Sequence, residues 1–205
     1  MTDFVLVRHG ETVWPDNRYA GSTDVALSVT GRHQASELAS WVARAGLADA
    51  WASPLARTRE TAELAISGTG LALHLDRRLE ELDFGDAEGL TPEEMRVRFP
   101  SARDAFEHDP LSHPLPGGEQ PRAAVQRALD CLREIASSDG EARVLVVTHA
   151  TLIRLLVCDL LGLALSDYRR RLPAIDHTAV TELRVQAGEA ALLRFNAPVS
   201  GPTEP

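Results

Sequence analysis

Aromatic residues are scarce in this chain, at 5% of 205 positions, and cysteine occurs only twice. Cys131 and Cys158 form no CxxC pair and both fall in apolar helical patterns. That excludes a disulfide framework and points to two small core residues in a reducing compartment. No apolar run is long enough to span a bilayer: residues 152–165 carry Arg154 and Asp159. The run at 4–7 ends at Arg8, too short for a secretory leader. Positive charge is in deficit as well. The formal net charge of −9 argues against nucleic acid or an anionic membrane as partner, because the long-range field repels both. A small anionic substrate is compatible with that charge if arginines gather in one cleft, since local charge decides within a Debye length. Metal-ligand spacing is missing too. His9, His33, His74, His108, His113, His149 and His177 form no H-x-x-x-H or Cys/His pattern, so no metal and no other cofactor is expected. Repeats and low-complexity blocks are also lacking.

What remains has the composition of one soluble globular domain, with 44% hydrophobic and 25% charged residues. The domain is expected over residues 1–196, with a mobile Pro-, Ser- and Gly-rich tail at 197–205. A cytoplasmic enzyme is the default expectation. Association as a homodimer, through a sheet edge or an exposed helix, follows from base rates.

Apolar residues 4–7 predict a buried strand running directly into Arg8-His9. Ser28 predicts the cap of a helix over 29–45, stopped by Gly46. Residues 50–52 predict a short strand, followed by a helix capped at Ser53-Pro54 and reaching about Ser67. Another strand is expected at 71–75. Residues 82–118 read as irregular, with one short helix capped at Thr91-Pro92. Further on, the pattern predicts a helix over about 119–137, a fully apolar strand at 144–147, and a buried helix at 151–161 ending at Gly162. Alternating stretches at 179–185 and 190–195 close the chain as strands. The alternation implies an α/β fold: three layers (α/β/α), a mostly parallel sheet with helices on both faces, and the 82–118 insertion as a small cap.

Arg8, His9 and His149 all follow predicted strands directly, and ligands of open α/β sheets bind beyond the carboxyl ends of the strands. Arg57, in the first turn of the helix after the second strand, can reach the same rim. Blander readings stand beside these. His9 and His149 could be ordinary strand-end residues, and Arg57 a surface arginine paired with Glu60 or Glu63. His177, at the start of a late strand, could approach the same pocket.

The segment Leu6-Val7-Arg8-His9-Gly10-Glu11-Thr12 resembles the defining motif of the histidine phosphatase superfamily, the phosphoglycerate mutase-like group. Four further segments agree in order. They are Asp24-Val25-Ala26-Leu27-Ser28 with Gly31; Ser53-Pro54-Leu55-Ala56-Arg57-Thr58-Arg59-Glu60-Thr61; Leu79-Glu80-Glu81 with Phe84-Gly85 and Glu88-Gly89; and Val147-Thr148-His149. The resemblance implies metal-independent hydrolysis of a small phosphorylated metabolite through a phosphohistidine at His9. Arg8, Arg57 and His149 would hold the nonbridging oxygens. Glu81, rather than its neighbour Glu80, would act as acid and then base, which requires a partly desolvated carboxyl with a raised pKa.

Three positions depart from the family pattern. Trp14 is followed by Pro15 where a phosphate-contacting Asn is frequent, which leaves Asn17 as the candidate substitute in the loop ending at Gly21. Ala150 stands where glycine is usual, and its small side chain still lets the backbone N–H approach an anion. Ala87 stands where phosphatases commonly carry Trp, which removes an aromatic wall. Residues 85–116 hold no lysine and only Arg96, Arg98 and Arg103, too few cations for a bis-anion pocket. With Pro116-Gly117-Gly118-Glu119, that favours the phosphatase branch over a bisphosphoglycerate-dependent mutase. A non-catalytic phosphate-binding scaffold is the reading from a different class.

Overall fold

The computed structural model describes residues 1–138 and 141–199. Among these, six strands form one mixed sheet: β1 (Thr2–Arg8), β2 (Asp49–Ala52), β3 (Leu73–Leu75), β4 (Ala142–Thr148), β5 (Val180–Gln186) and β6 (Glu189–Ala197), in the order β3-β2-β4-β1-β5-β6. The first four pair in parallel, while β5 runs antiparallel to both β1 and β6. Seven α-helices accompany the sheet among the described residues: α1 (Val29–Val42), α2 (Ala56–Ala65), α3 (Pro92–Arg98), α4 (Pro100–His108), α5 (Pro121–Ser138), α6 (Ala150–Leu160) and α7 (Tyr168–Arg171), with α3 and α4 in the cap.

The period of two along β1 and β4 creates the three layers. Phe4, Leu6, Val144 and Val146 point into a core with α5, α6 and the cap; Val5, Val7, Leu145 and Val147 point into a second core with α1 and α2. Because both faces are covered, these strands are apolar throughout rather than alternating with polar residues. Cys131 and Cys158 lie in the first core, and burial pushes the Cys131 thiol up to about 12.

Helix α1 begins as its sequence predicts, with the Ser28 hydroxyl accepting from Gly31 N at 3.0 Å. Helix α2 does not begin at the expected Ser53-Pro54 cap. Its first helical residue is Ala56, and the capping acceptor comes from a distant loop: Asp24 Oδ1 receives Ala56 N at 2.6 Å. The cap insertion also holds more structure than expected. After α3, which carries a full Thr91–Glu94 capping box, Pro100 starts a second helix, α4, that buries Arg103 and Phe106. β6 runs on to Ala197, the first residue of the expected tail, while residues 200–205 of that tail lie outside the described residues. Among the described residues no helix is long and apolar enough to cross a membrane.

Candidate active site

Register brings the two strand-end histidines together. Arg8 pairs with Thr148 across β1 and β4, so His9 and His149 emerge side by side, with His9 N donating to Thr148 O at 3.1 Å and ring centroids 5.2 Å apart. The His9 Nδ1 donates to Gly10 O at 2.7 Å, which places the proton on Nδ1 and leaves Nε2 with its lone pair free. Burial, reinforced by the charges of Arg57 and Arg8, holds the His9 pKa well below its ordinary 6.5. The ring is therefore neutral at neutral pH.

The loop carrying His9 is held by the other family-like segments. Gly10 N donates to Thr61 Oγ1 at 3.0 Å, and Ser28 Oγ donates to Glu11 Oε1 at 2.7 Å. A side chain on Gly10 would strike Gly31 O, and one on Gly31 would strike the Glu11 backbone. The segment around Ser28 and Gly31 thus acts as a seat for the loop that carries His9.

Arg57 is buried, not a surface residue: Glu60 pairs with Arg32 and Glu63 with Arg59. Its Nε donates to His149 Nδ1 at 3.3 Å, Nη1 to Thr23 O at 2.8 Å and Nη2 to Gly21 O at 2.6 Å. Two of the five guanidinium N–H groups stay uncommitted by these bonds. Gly21 itself sits at φ +51, where a Cβ would also collide with Glu88. Glu88 accounts for the family-like Glu88-Gly89 pair. Its carboxylate accepts from Ser22 N at 2.6 Å, Thr23 N at 2.8 Å and both of their hydroxyls, which fixes the loop whose carbonyls grip Arg57.

Arg8 Nη1 donates to Ile175 O at 2.7 Å and Nη2 to Asp16 Oδ1 at 3.0 Å, while its buried Nε has no partner among the described residues. Burial lowers the pKa of both Arg8 and Arg57, but a guanidinium stays charged at any working pH. His149 is fully buried and uses both ring nitrogens inside the protein, accepting from Arg57 and facing Ser53 Oγ at 3.0 Å. The Ser53 hydroxyl, expected to cap α2, is engaged here instead.

Of the two adjacent glutamates, Glu81 lines the cavity and Glu80 pairs with Arg77 outside it. Glu81 is buried at the N-terminus of α6, accepting from Leu82 N, Thr151 N and Leu152 N at 2.9 to 3.1 Å. Arg127 of α5, which the sequence did not single out, gathers the carbonyls of Arg78, Glu80 and Glu81 and pairs with Glu119 at 2.8 Å. Pro116-Gly117-Gly118-Glu119 is explained by the same packing: Asp86 N donates to Pro116 O, Glu119 N to Asp83 O, and a Cβ on Gly85 (φ +56) would strike Pro116 O.

These side chains open on a cavity of about 560 Å³ lined by Arg8, His9, Arg57 and Glu81. Ala150, Gly21 and the exposed Asn17 are on its wall, whereas Ala87 is fully buried elsewhere and the aromatic wall is formed by Tyr19 and Phe84. His177 reaches the site: its Nδ1 donates to His9 O at 2.8 Å and its Nε2 faces Asp16 Oδ1 at 3.0 Å. The low cation content expected from residues 85–116 does not hold for the cavity, because Arg18, Arg154 and Arg169 line it together with Arg103. Among the described residues no group of three or more His, Cys, Asp or Glu is placed to hold a metal ion.

The family model for the histidine phosphatase superfamily (branch 1) matches residues 4–198. The chain belongs to this superfamily. It is 34% identical over 171 residues to a protein of Erwinia tasmaniensis named probable phosphoglycerate mutase GpmB, covering 83% of this chain and 80% of that one. Phosphoserine phosphatase 1 of Hydrogenobacter thermophilus is 32% identical over 169 residues, covering 82% and 80%. A mycobacterial glucosyl-3-phosphoglycerate phosphatase, solved with VO3, superimposes with a TM-score of 0.87 at 30% identity, covering 95% of this chain and 98% of that one. The superfamily site therefore spans relatives named for mutase and for phosphatase activity.

Proposed function

We propose that this chain is a cytoplasmic, metal-independent phosphomonoester hydrolase that acts on a small phosphorylated metabolite through a phosphohistidine at His9. One observation carries the reading: a buried, neutral His9 whose Nδ1 proton is fixed on Gly10 O, facing a cavity between Arg8 and Arg57 with Glu81 on the same wall. His9 Nε2 attacks phosphorus as the ester oxygen departs with a proton from Glu81. Glu81 then takes a proton from water, whose oxygen attacks phosphorus as the N–P bond breaks and phosphate leaves. Arg8 and Arg57 hold and orient the phosphoryl oxygens, Arg57 through its uncommitted N–H groups. His149, expected to grip those oxygens directly, is fully buried with both ring nitrogens engaged and instead orients Arg57. The Ala150 N–H, Gly21 and Asn17 complete the phosphate side of the cavity.

Hydrolysis of p-nitrophenyl phosphate in EDTA tests the reading. Turnover persists in the chelator, and His9→Ala lowers it by about 10⁴-fold or more. Acid-quenched wild type yields no stable label from radioactive substrate, whereas an alkaline quench retains it on His9. A requirement for added metal, or activity surviving in His9→Ala, overturns the proposal. A second reading, bisphosphate-primed mutase chemistry, is favoured by the four arginines lining the cavity besides Arg8 and Arg57. Primer-dependent isomerisation of 3-phosphoglycerate, in place of phosphate release, selects it.

A further inference from the structure

We propose that the cap end of the cavity is a subsite for a second anionic group on the substrate, built by Arg103, Arg154 and Arg169. The proposal rests on the phosphoryl-transfer reading of His9 and extends it to the substrate class: a phosphomonoester carrying a further carboxylate or phosphate.

Among the described residues six arginines line the cavity against three carboxylates, Asp16, Glu81 and Asp176, in a chain whose net charge is −9. Arg8 and Arg57 are committed beside His9, and Arg18 is bound to Gly89 O and Glu94. The remaining three come from separate elements. Arg154, on α6, donates to Leu172 O at 2.7 Å and Pro173 O at 2.9 Å. Arg169, on α7, donates to the Tyr19 hydroxyl at 2.7 Å and lies over the Phe106 ring at 4.9 Å. These acceptors are neutral, so they orient the guanidinium groups without cancelling their charge. Among the described residues neither Arg154 nor Arg169 has a carboxylate within ion-pair distance.

Arg103 supplies an independent observation. Its side chain is 6% exposed and lines the cavity, yet only Nη2 is paired, to Glu107, which Arg96 also claims. Its buried Nε and Nη1 have no hydrogen-bond partner among the described residues. A buried guanidinium with unmet donors is costly unless a ligand supplies acceptors. Arg103 also sits over Phe106, at 5.8 Å, so one ring backs both Arg103 and Arg169. Tyr19 and Phe84 pack edge-on around that ring, which holds the pair in place. Arg154 stands one turn after Thr151, whose N–H binds Glu81, and lines the same cavity, which places it between the phosphoryl end and the cap end.

The experiment compares substrates that differ by one anion. O-phosphoserine and O-phosphoethanolamine differ by a carboxylate; glucose 1,6-bisphosphate and glucose 6-phosphate differ by a phosphate. In at least one pair the more anionic member is preferred in kcat/KM by about tenfold or more, the scale of a charge-assisted hydrogen bond. The favoured pair identifies the second group. Arg103→Ala and Arg169→Ala each bring that ratio towards one, while Arg122→Ala, on the exposed side of α5, leaves it at the wild-type value. Arg169→Met, at a half-buried position, keeps the test open should Arg103→Ala fail to fold. Ratios at or below one in both pairs, or a ratio that survives both substitutions, overturn the subsite. Calorimetric titration of His9→Ala with the same pairs reads the preference as a ratio of Kd values. Absence of turnover on p-nitrophenyl phosphate then sinks the hydrolase reading alone, while the binding ratio still decides the subsite.

Discussion

At the strand end of the cavity each candidate catalytic side chain is tied to a neighbour that belongs to a sequence motif; at the cap end the side chains are tied to almost nothing that a motif encodes. His9 is bound through Gly10, Thr61 and Gly31, and Arg57 through Gly21 and Thr23, which Glu88 holds. Arg103, Arg154 and Arg169 come from three helices and are positioned by carbonyls, a phenol and one aromatic ring. The difference separates two tasks. Phosphoryl transfer requires oxygens held in one geometry, so its residues are locked by a dense network. Discrimination among substrates requires only that a second charge be matched, so its residues can be drawn from anywhere that reaches the cavity.

The largest expected effect that breaks the symmetry of the two ends, short of removing His9, is Glu88→Gln. Glu88 does not itself line the cavity but stands behind its wall, where its two oxygens accept from four donors on Ser22 and Thr23 and from Phe84 N. Glutamine turns one of those acceptors into a donor facing N–H groups. The loop shifts, its carbonyls lose Arg57, and kcat/KM falls by about 10²-fold, the scale of an ångström-level misplacement. The fall is the same for every phosphomonoester, so the ratios that report on the cap end do not change. A drop confined to one substrate class would show that Glu88 serves specificity instead.

A smaller effect is expected at Ser53. Arg57 Nε can only donate, so His149 Nδ1 is the acceptor and Nε2 carries the proton that the Ser53 hydroxyl accepts at 3.0 Å, which holds the ring in that tautomer. Ser53→Ala removes one buried hydrogen bond, worth about 1 kcal/mol, and kcat/KM falls by roughly 5- to 10-fold. Ser53→Thr keeps the hydroxyl and restores much of the loss. If alanine is silent, His149 is held by Arg57 alone.

The motif residues were legible because each has a local signature: a strand that stops at Arg8-His9, a serine cap at Ser28, glycines at 10, 21 and 31 where a Cβ has no room. The three-layer fold was legible from the apolar strands at 4–7 and 144–147. Long-range partners were not. Asp24 caps a helix 32 residues away, so Ser53 looked like the cap and its bond to His149 was hidden. His177 was a candidate from its position at the start of a late strand, but the reason it reaches the site lay in strand direction, since the start of a parallel strand would lie at the wrong end. Because β5 is antiparallel to β1, its start meets the end of β1, with Thr178 N on Arg8 O at 2.9 Å. Arg154 and Arg169 carry no local signature, since nothing in the sequence around them says what faces them. Counting cations along one insertion missed them for that reason.

The smallest effect is a gradient in stability, and it also separates the two ends. Burial and the arginine charges lower the pKa of both His9 and His149 well below the ordinary 6.5. The unfolded chain regains the ordinary value, so as pH falls below 6.5 it takes up protons that the folded chain refuses. Unfolding is then favoured by proton uptake, and stability present above pH 6.5 is lost progressively down to the folded-state pKa values. The melting temperature of the ligand-free protein should be flat from pH 8 to 7 and decline through pH 6 and 5.5. Asp3 and Asp76 are held below their ordinary 3.8 by Arg184 and Arg78, so their contribution to acid loss begins at lower pH and does not mimic the gradient. His9→Gln removes one of the two titrating groups and makes the decline shallower, whereas Arg169→Ala, at the cap end, leaves its slope unchanged. A melting temperature that holds constant down to pH 5.5 would mean the two rings are not kept neutral by their surroundings, and the nucleophilic role proposed for His9 would need another basis.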